Sequence, residues 1–291
     1  MSWAAHEFED YFIQKHIGTK ASFIAVVIGA FLPDLITKSF VYEHSTDAAH
    51  FHRGWPGVGF THSLMFGVVI ATVVLAITKS RSWALGLLIG EWAHVLTDVS
   101  DTAGVMLFFP FSTQNLSIQM WKHAASQGRL GDAAAYYSGL GGVWDFFWFC
   151  MVLVFARKVF RADYFWSVVV PADFKVWSWA RRRLHLTDNG MLLAYRAYFL
   201  YGMSRMVAWF LYARFQTDKP WQPVWGGPKY IKGNYLMTGD WWRITLSLGL
   251  GGVAFAITLY LLWRFLIRRL WARGVDPEIV ERGSGLRVAF H

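Results

Sequence analysis

Residues 90–98 read Gly-Glu-Trp-Ala-His-Val-Leu-Thr-Asp and sit inside an otherwise apolar, membrane-length run. Glu91, His94 and Asp98 are spaced three and then four apart, so a helix carries all three on one face. An ionised side chain at the centre of a bilayer costs roughly 2.5–3.5 kcal/mol on insertion scales. Three ionisable groups on one stripe therefore need compensation, and a bound cation is the simplest form of it. A buried His94–Asp98 pair is the plainer reading. Glu91 weakens it by adding a third ionisable group.

The rest of the chain points to the same environment. Of 291 residues, 55% are hydrophobic and only 16% charged, against about 25% charged in an average soluble domain. Apolar segments lie at about 21–40, 61–79, 82–109, 141–160, 190–213 and 240–267. The expected fold class is all-α: a polytopic transmembrane helical bundle of five or six membrane helices with an interfacial amphipathic helix. The first segment is interrupted by Pro33-Asp34, leaving roughly 13 apolar residues, or about 20 Å of helix. A short helix over 4–16, a turn at Gly18-Thr19 and that segment would form a hairpin with His6 and Asp34 at one end. Residues 162–189, with Trp166, Trp177, Trp179 and a basic run, read as the amphipathic helix on the inner surface.

Charge sets the expected orientation. The formal net charge is +9, and the basic residues cluster at Lys79/Arg81, Arg157/Lys158/Arg161, Lys175 with Arg181–Arg183, and Arg264/Arg268/Arg269/Arg273. If the segments alternate, all of these fall on one side, which the positive-inside rule makes cytoplasmic. The expected localisation is a bacterial inner membrane, multi-pass, with a cytoplasmic C-terminus. No nucleic-acid role is needed to explain the charge. The acidic start of the chain lacks the basic region of a signal peptide. The single cysteine, Cys150, excludes an intrachain disulfide and a cysteine-built zinc site. Three regions follow: 1–112 as a membrane-embedded metal-site region, 113–274 as further helices and loops of the same bundle, and 275–291 as a polar tail.

In this topology the unusual polar residues collect near the outer face. They are Asp34, His44, His50, His52, Arg53, His62, His94, Asp98 and Asp101. His and Asp supply the nitrogen and oxygen ligands suited to zinc or a similar divalent cation. The order of His6, Leu32-Pro33-Asp34, His52-Arg53-Gly54, Thr61-His62-Ser63, His94-x-x-x-Asp98, Thr102-Ala103-Gly104-Val105 and Phe109-Pro110-Phe111 resembles the YdjM-type, LexA-regulated family of predicted inner-membrane metal-dependent hydrolases. The resemblance covers about residues 1–112. It implies metal ligands at His6, Asp34, His52, His62, His94 and Asp98, and a hydrolytic activity on a substrate that the family does not define. Two departures stand out. Leu35-Ile36 follows Leu-Pro-Asp where the family has Ile-Asp, and residues 55–60 separate His-Arg-Gly from Thr-His-Ser.

The expected function is metal-dependent hydrolysis of an ester or phosphoester at the outer interface, with zinc the first expectation and membrane lipid or a lipid-linked compound as substrate. Glu91 would orient His94 or move a proton, and Arg53 would clamp an anionic group. Two rivals remain. One is a non-catalytic accessory subunit of a membrane complex that keeps a relict site. The other is a metal or proton pathway through Glu91, His94 and Asp98. Single residues have plainer roles open to them, Thr61 as a helix N-cap and Asp101 as a cap or a support for the ligands, whereas Asp145, near the start of the fourth apolar segment, is a candidate further carboxylate at the same site.

Overall fold

The computed structural model describes residues 4–40, 59–101, 103–121 and 128–231, with five positions between 257 and 265. The described chain is mostly helical. Its helices are α1 (Ala5–Ile17), α2 (Phe23–Phe40), α3 (Leu64–Thr78), α4 (Arg81–Asp98), α5 (Gly128–Tyr137), α6 (Leu140–Val159), α7 (Phe174–Arg183) and α8 (Asp188–Phe215). Among the described residues one helix, Leu140–Val159, is long and apolar enough to cross a membrane. Phe23–Ile36 and Leu64–Thr78 are shorter apolar helices. The last apolar segment, 240–267, falls almost wholly outside the described residues, as does the tail.

The short, polar α1 lies at the centre. It packs against α2, α4, α6 and α8. His6, Glu7, Glu9, Asp10 and Gln14 are all buried on it. Several of them meet partners on neighbouring helices. Arg205 of α8 pairs with Glu7, and Tyr198 Oη donates to Asp10 Oδ2 over 2.6 Å. Tyr11 Oη donates to the Tyr195 carbonyl and accepts from Phe199 N at 3.1 Å. At the start of α1 the backbone N–H groups of Ala4 and Ala5 donate to Asp145 at 2.9 and 3.1 Å, and the hydroxyls of Tyr136 and Tyr137 donate to the same carboxylate at 2.5 Å each. Asp145 thus caps α1 from α6 and satisfies its orphan donors. It is an anchor for the central helix and does not turn to the His/Asp residues.

A glycine-lined contact sets the closest helix pair. A Cβ on Gly86 would lie 2.7 Å from Ser22 O, and one on Gly90 would lie 2.1 Å from Val26 O. Only small residues permit backbones to approach so closely. The contacts advance together, 22 and 25 with 86 and then 26 and 30 with 90, so α2 and α4 run parallel and bring Asp34 to the level of His94 and Asp98. α1 runs the other way. The expected hairpin therefore holds, with His6 and Asp34 at one end.

Two boundaries differ from the sequence reading. The run 82–109 is not one helix. α4 stops at Asp98, and residues 103–121 form an irregular segment in which Gly104 takes a positive φ of 63°. Its carbonyl-lined neighbour explains why: a Cβ there would lie 2.2 Å from Leu116 O. This segment packs Val105, Leu107 and Leu116 onto Val95 and Val99. Leu107 O accepts from Leu64 N at 3.2 Å, so it closes over the end of the bundle that carries the histidines. Asn115–Ser117 pairs antiparallel with Lys229–Ile231. The second boundary is the cap of α3. Ser63, not Thr61, accepts from Phe66 N at 3.2 Å. Residues 162–189 form a helical stretch over 162–172 and then α7, which buries Trp177, Ser178 and Ala180 and carries Arg181–Arg183 in its last turn.

Candidate metal centre

Four side chains from three separate pieces of the chain meet at the end of the bundle. Asp34 comes from α2 just after Pro33. His62 comes from the turn Gly59–His62 before α3. His94 and Asp98 come from consecutive turns of α4. One ligand atom from each lies within 4.8 Å of all the others. His62 Nε2 is 3.6 Å from Asp34 Oδ1 and 3.6 Å from Asp98 Oδ2, and His94 Nε2 is 3.2 Å from Asp98 Oδ2. Ligands about 2.05 Å from a tetrahedral ion stand about 3.3 Å apart. Three of the six pairs approach to 3.2–3.6 Å, close to that edge, and the quartet as a whole lies within 4.8 Å; a two-nitrogen, two-oxygen set suits zinc and its neighbours. His62 and Asp98 are fully buried, His94 is 1% exposed, and Asp34 is at the edge of burial at 9%.

The histidines are held at the right atoms. His62 Nδ1 is 3.1 Å from Thr61 Oγ1. With that nitrogen donating to the hydroxyl, Nε2 presents its lone pair to Asp34 and Asp98. Thr61 thus meets the ring of His62, and the helix cap expected of it falls to Ser63. Both ring nitrogens of His94 are buried without an aligned hydrogen bond, which a protein interior seldom tolerates. His94 stacks on His6, with ring centroids 4.2 Å apart and planes 17° apart.

His6 stands beside the quartet. Its Nε2 is 4.0 Å from Asp98 Oδ1 and its Nδ1 is 3.5 Å from Glu9 Oε2. Glu9 was not anticipated. Its other oxygen accepts from Thr97 Oγ1 of α4. The available signal was spacing, because Glu9 follows His6 by three on one helical face. Glu91 is buried at 1% exposure, but its carboxyl points to α3. Its Oε2 fills the place where Gly67 lacks a Cβ, 2.0 Å from that position, and neither oxygen has a hydrogen bond among the described residues. It lies one turn from His94 without a bond to it. Asp101 caps the turn after α4, with Oδ1 accepting from Ala103 N at 3.1 Å. Arg205 is taken up by Glu7, and Arg196 donates to Phe160 O at 2.9 Å, far from the cluster. His44, His50, His52 and Arg53 lie outside the described residues.

No curated protein and no solved structure matches the chain. A family model described as YdjM inner membrane protein matches residues 5–206. The match runs beyond the motif-bearing first 112 residues. It takes in the whole quartet and its supports: it opens on the helix of His6 and Glu9 and closes one residue after Arg205, the partner of Glu7. The motifs, the membrane-type apolar helix and a match over more than half of its length agree that this chain belongs to the YdjM inner membrane protein family.

Proposed function

We propose that this inner-membrane protein binds a divalent cation, zinc first, through Asp34, His62, His94 and Asp98, and uses it to hydrolyse an ester or phosphoester of a lipid or lipid-linked substrate. The observation that carries the reading is the convergence of two nitrogens and two oxygens at ligand-to-ligand spacing in a buried site. A bound cation of this kind supplies Lewis acidity and lowers the pKa of water. The chain's own residues do the rest. Thr61 and Glu9 fix the ring orientations of His62 and His6. The segment 103–121 covers the site on one side and limits water. Glu91, one turn along α4, would hold or pass a proton on turning its carboxyl from α3 toward His94. Arg53, outside the described residues and nine positions before His62, would bind an anionic group of the substrate.

The same reading makes the chain multi-pass, with the site near the outer face and the C-terminus cytoplasmic. Its support is that Lys20, Lys79, Arg81, Arg157, Lys158 and Arg161 lie at the ends of α1, α3 and α6 remote from the cluster or at the start of α4. A cysteine at Phe111, 83% exposed on the covering segment, should react with an impermeant thiol reagent in intact cells on a Cys150→Ser background. Labelling only after permeabilisation would invert the topology.

The functional test is metal analysis followed by a substrate screen. Purified protein should carry at least one zinc or similar ion per chain, and His94→Ala with Asp98→Ala should lose it. Metal-loaded protein should then hydrolyse a phospholipid or polyprenyl phosphate faster than His62→Ala does. Metal-free protein whose cluster makes only protein–protein hydrogen bonds would sink the site. Metal without turnover, in a protein that copurifies with a larger membrane complex, would replace the hydrolase with the accessory role.

A further inference from the structure

We infer that the centre takes two cations, the second lying between His6 Nε2 and Asp98 Oδ1, with Asp98 as the bridging carboxylate. The inference rests on the metal reading above and goes beyond it in the number of ions and in the role of Glu9. The two oxygens of Asp98 face different partners. Oδ2 is 3.2 Å from His94 Nε2 and 3.6 Å from His62 Nε2. Oδ1 is 4.0 Å from His6 Nε2. A carboxylate placed so presents one oxygen to each of two neighbouring ions, which in paired sites lie about 3.5–4 Å apart. His6 is not part of the quartet whose atoms lie within 4.8 Å of one another, so it does not complete the shell of the first ion.

His6 is also prepared for this duty. It is 4% exposed, and neither of its ring nitrogens makes an aligned hydrogen bond. Glu9 Oε2 is 3.5 Å from Nδ1, and Glu9 Oε1 is held by Thr97 Oγ1, one residue before Asp98. A carboxylate behind Nδ1 turns the lone pair of Nε2 forward, the arrangement that orients metal-bound histidines. Glu9 is thus a positioning residue, tied to the same helix as the bridging ligand. The charges agree. His6 feels three carboxylates, Glu9, Asp98 and Asp34, while Arg205, the basic side chain that α8 brings to α1, is spent on Glu7. One divalent ion leaves the three carboxylates in excess, and a second offsets them.

The test uses the full chain in lipid nanodiscs, stripped by chelation and reloaded with Mn(II). Two ions per chain and an exchange-coupled EPR spectrum are expected. His6→Ala should bind one ion with an uncoupled six-line spectrum. Glu9→Gln should weaken the second binding step by about 10–100-fold and leave the first unchanged. A single uncoupled ion in the wild type, which needs no variant and so no question of folding, would overturn the second position while the quartet stands. An unchanged coupled pair in His6→Ala would also overturn it. No bound ion at all would remove the quartet and this inference together.

Discussion

α1 and α3 are both short helices of one bundle, and they are built inside out with respect to each other. α1 carries His6, Glu7, Glu9, Asp10 and Gln14, and buries all of them. α3 reads Leu-Met-Phe-Gly-Val-Val-Ile-Ala-Thr-Val-Val-Leu-Ala-Ile-Thr, and leaves Met65, Val68, Val69, Val73, Leu75 and Ile77 exposed. In water this exchange would be costly on both sides, with apolar area left in solvent and charges taken out of it. In a bilayer the exchange would cost far less, because lipid could cover α3 while Arg205, Tyr198 and Thr97 meet the polar groups of α1. The contrast also locates the chemistry. The polar helix of the two, α1, is the one that supplies His6 and its support to the cluster.

The largest effect should come from breaking the pair that joins α1 to α8. Arg205→Ala leaves Glu7 fully buried without its counter-charge, a change that costs about 3–5 kcal/mol. Unfolding of the detergent-solubilised protein should show that loss, and Glu7→Gln added to Arg205→Ala should recover most of it. A single variant as stable as the wild type would mean that Glu7 is not held by this pair. On α3 the same kind of change runs the other way. Val73→Asp places a carboxylate on an apolar face that is 45% exposed. If lipid covers that face, the loss is about 2.5–3.5 kcal/mol. A loss within about 0.5 kcal/mol, the size expected of an ordinary surface change, would put the face in water and break the comparison.

How much of this was legible in the sequence depends on what spacing encodes. Apolar runs predicted α2, α3, α6 and α8 to within a few residues, because an apolar face follows from composition along one helix. The His94–Asp98 step placed two ligand candidates on one face for the same reason. What spacing does not encode is the neighbour. Glu91 shares the azimuth of His94 and Asp98, but its carboxyl goes to α3, where Gly67 leaves room. Asp145 looked like a further site residue, and its four donors come from α1 and from two tyrosines just before α6. The end of α4 at Asp98 was hidden because Val99, Val105, Met106 and Leu107 keep the segment apolar, and they do so by packing as a cover instead of as helix. Gly86 and Gly90, four apart, were visible throughout. Their meaning emerged only with Val26 and Ser22 opposite them.

The smallest expected effect tests whether Gly67 is there for Glu91. Ala in place of Gly within a helix gains about 0.5–1 kcal/mol by reducing the entropy of the unfolded chain. At Gly67 the new Cβ would fall 2.0 Å from Glu91 Oε2 and 3.1 Å from Trp92 Cδ1. The carboxyl is the end of a flexible side chain and can swing aside, whereas Trp92 is fixed by its Nε1–H donating to Leu64 O at 3.0 Å. Gly67→Ala should therefore lose under about 1 kcal/mol, the two contributions nearly cancelling. With Glu91→Ala present, the larger of the two collisions is gone. Gly67→Ala should then be neutral to slightly stabilising, a coupling of about 0.5–1 kcal/mol in a double-mutant cycle. Equal effects in both backgrounds would mean that Trp92 alone sets the space at Gly67. Glu91 would then be free to turn toward His94, and the contrast between a polar α1 and an apolar α3 would lose the one ionisable side chain that the apolar helix shelters.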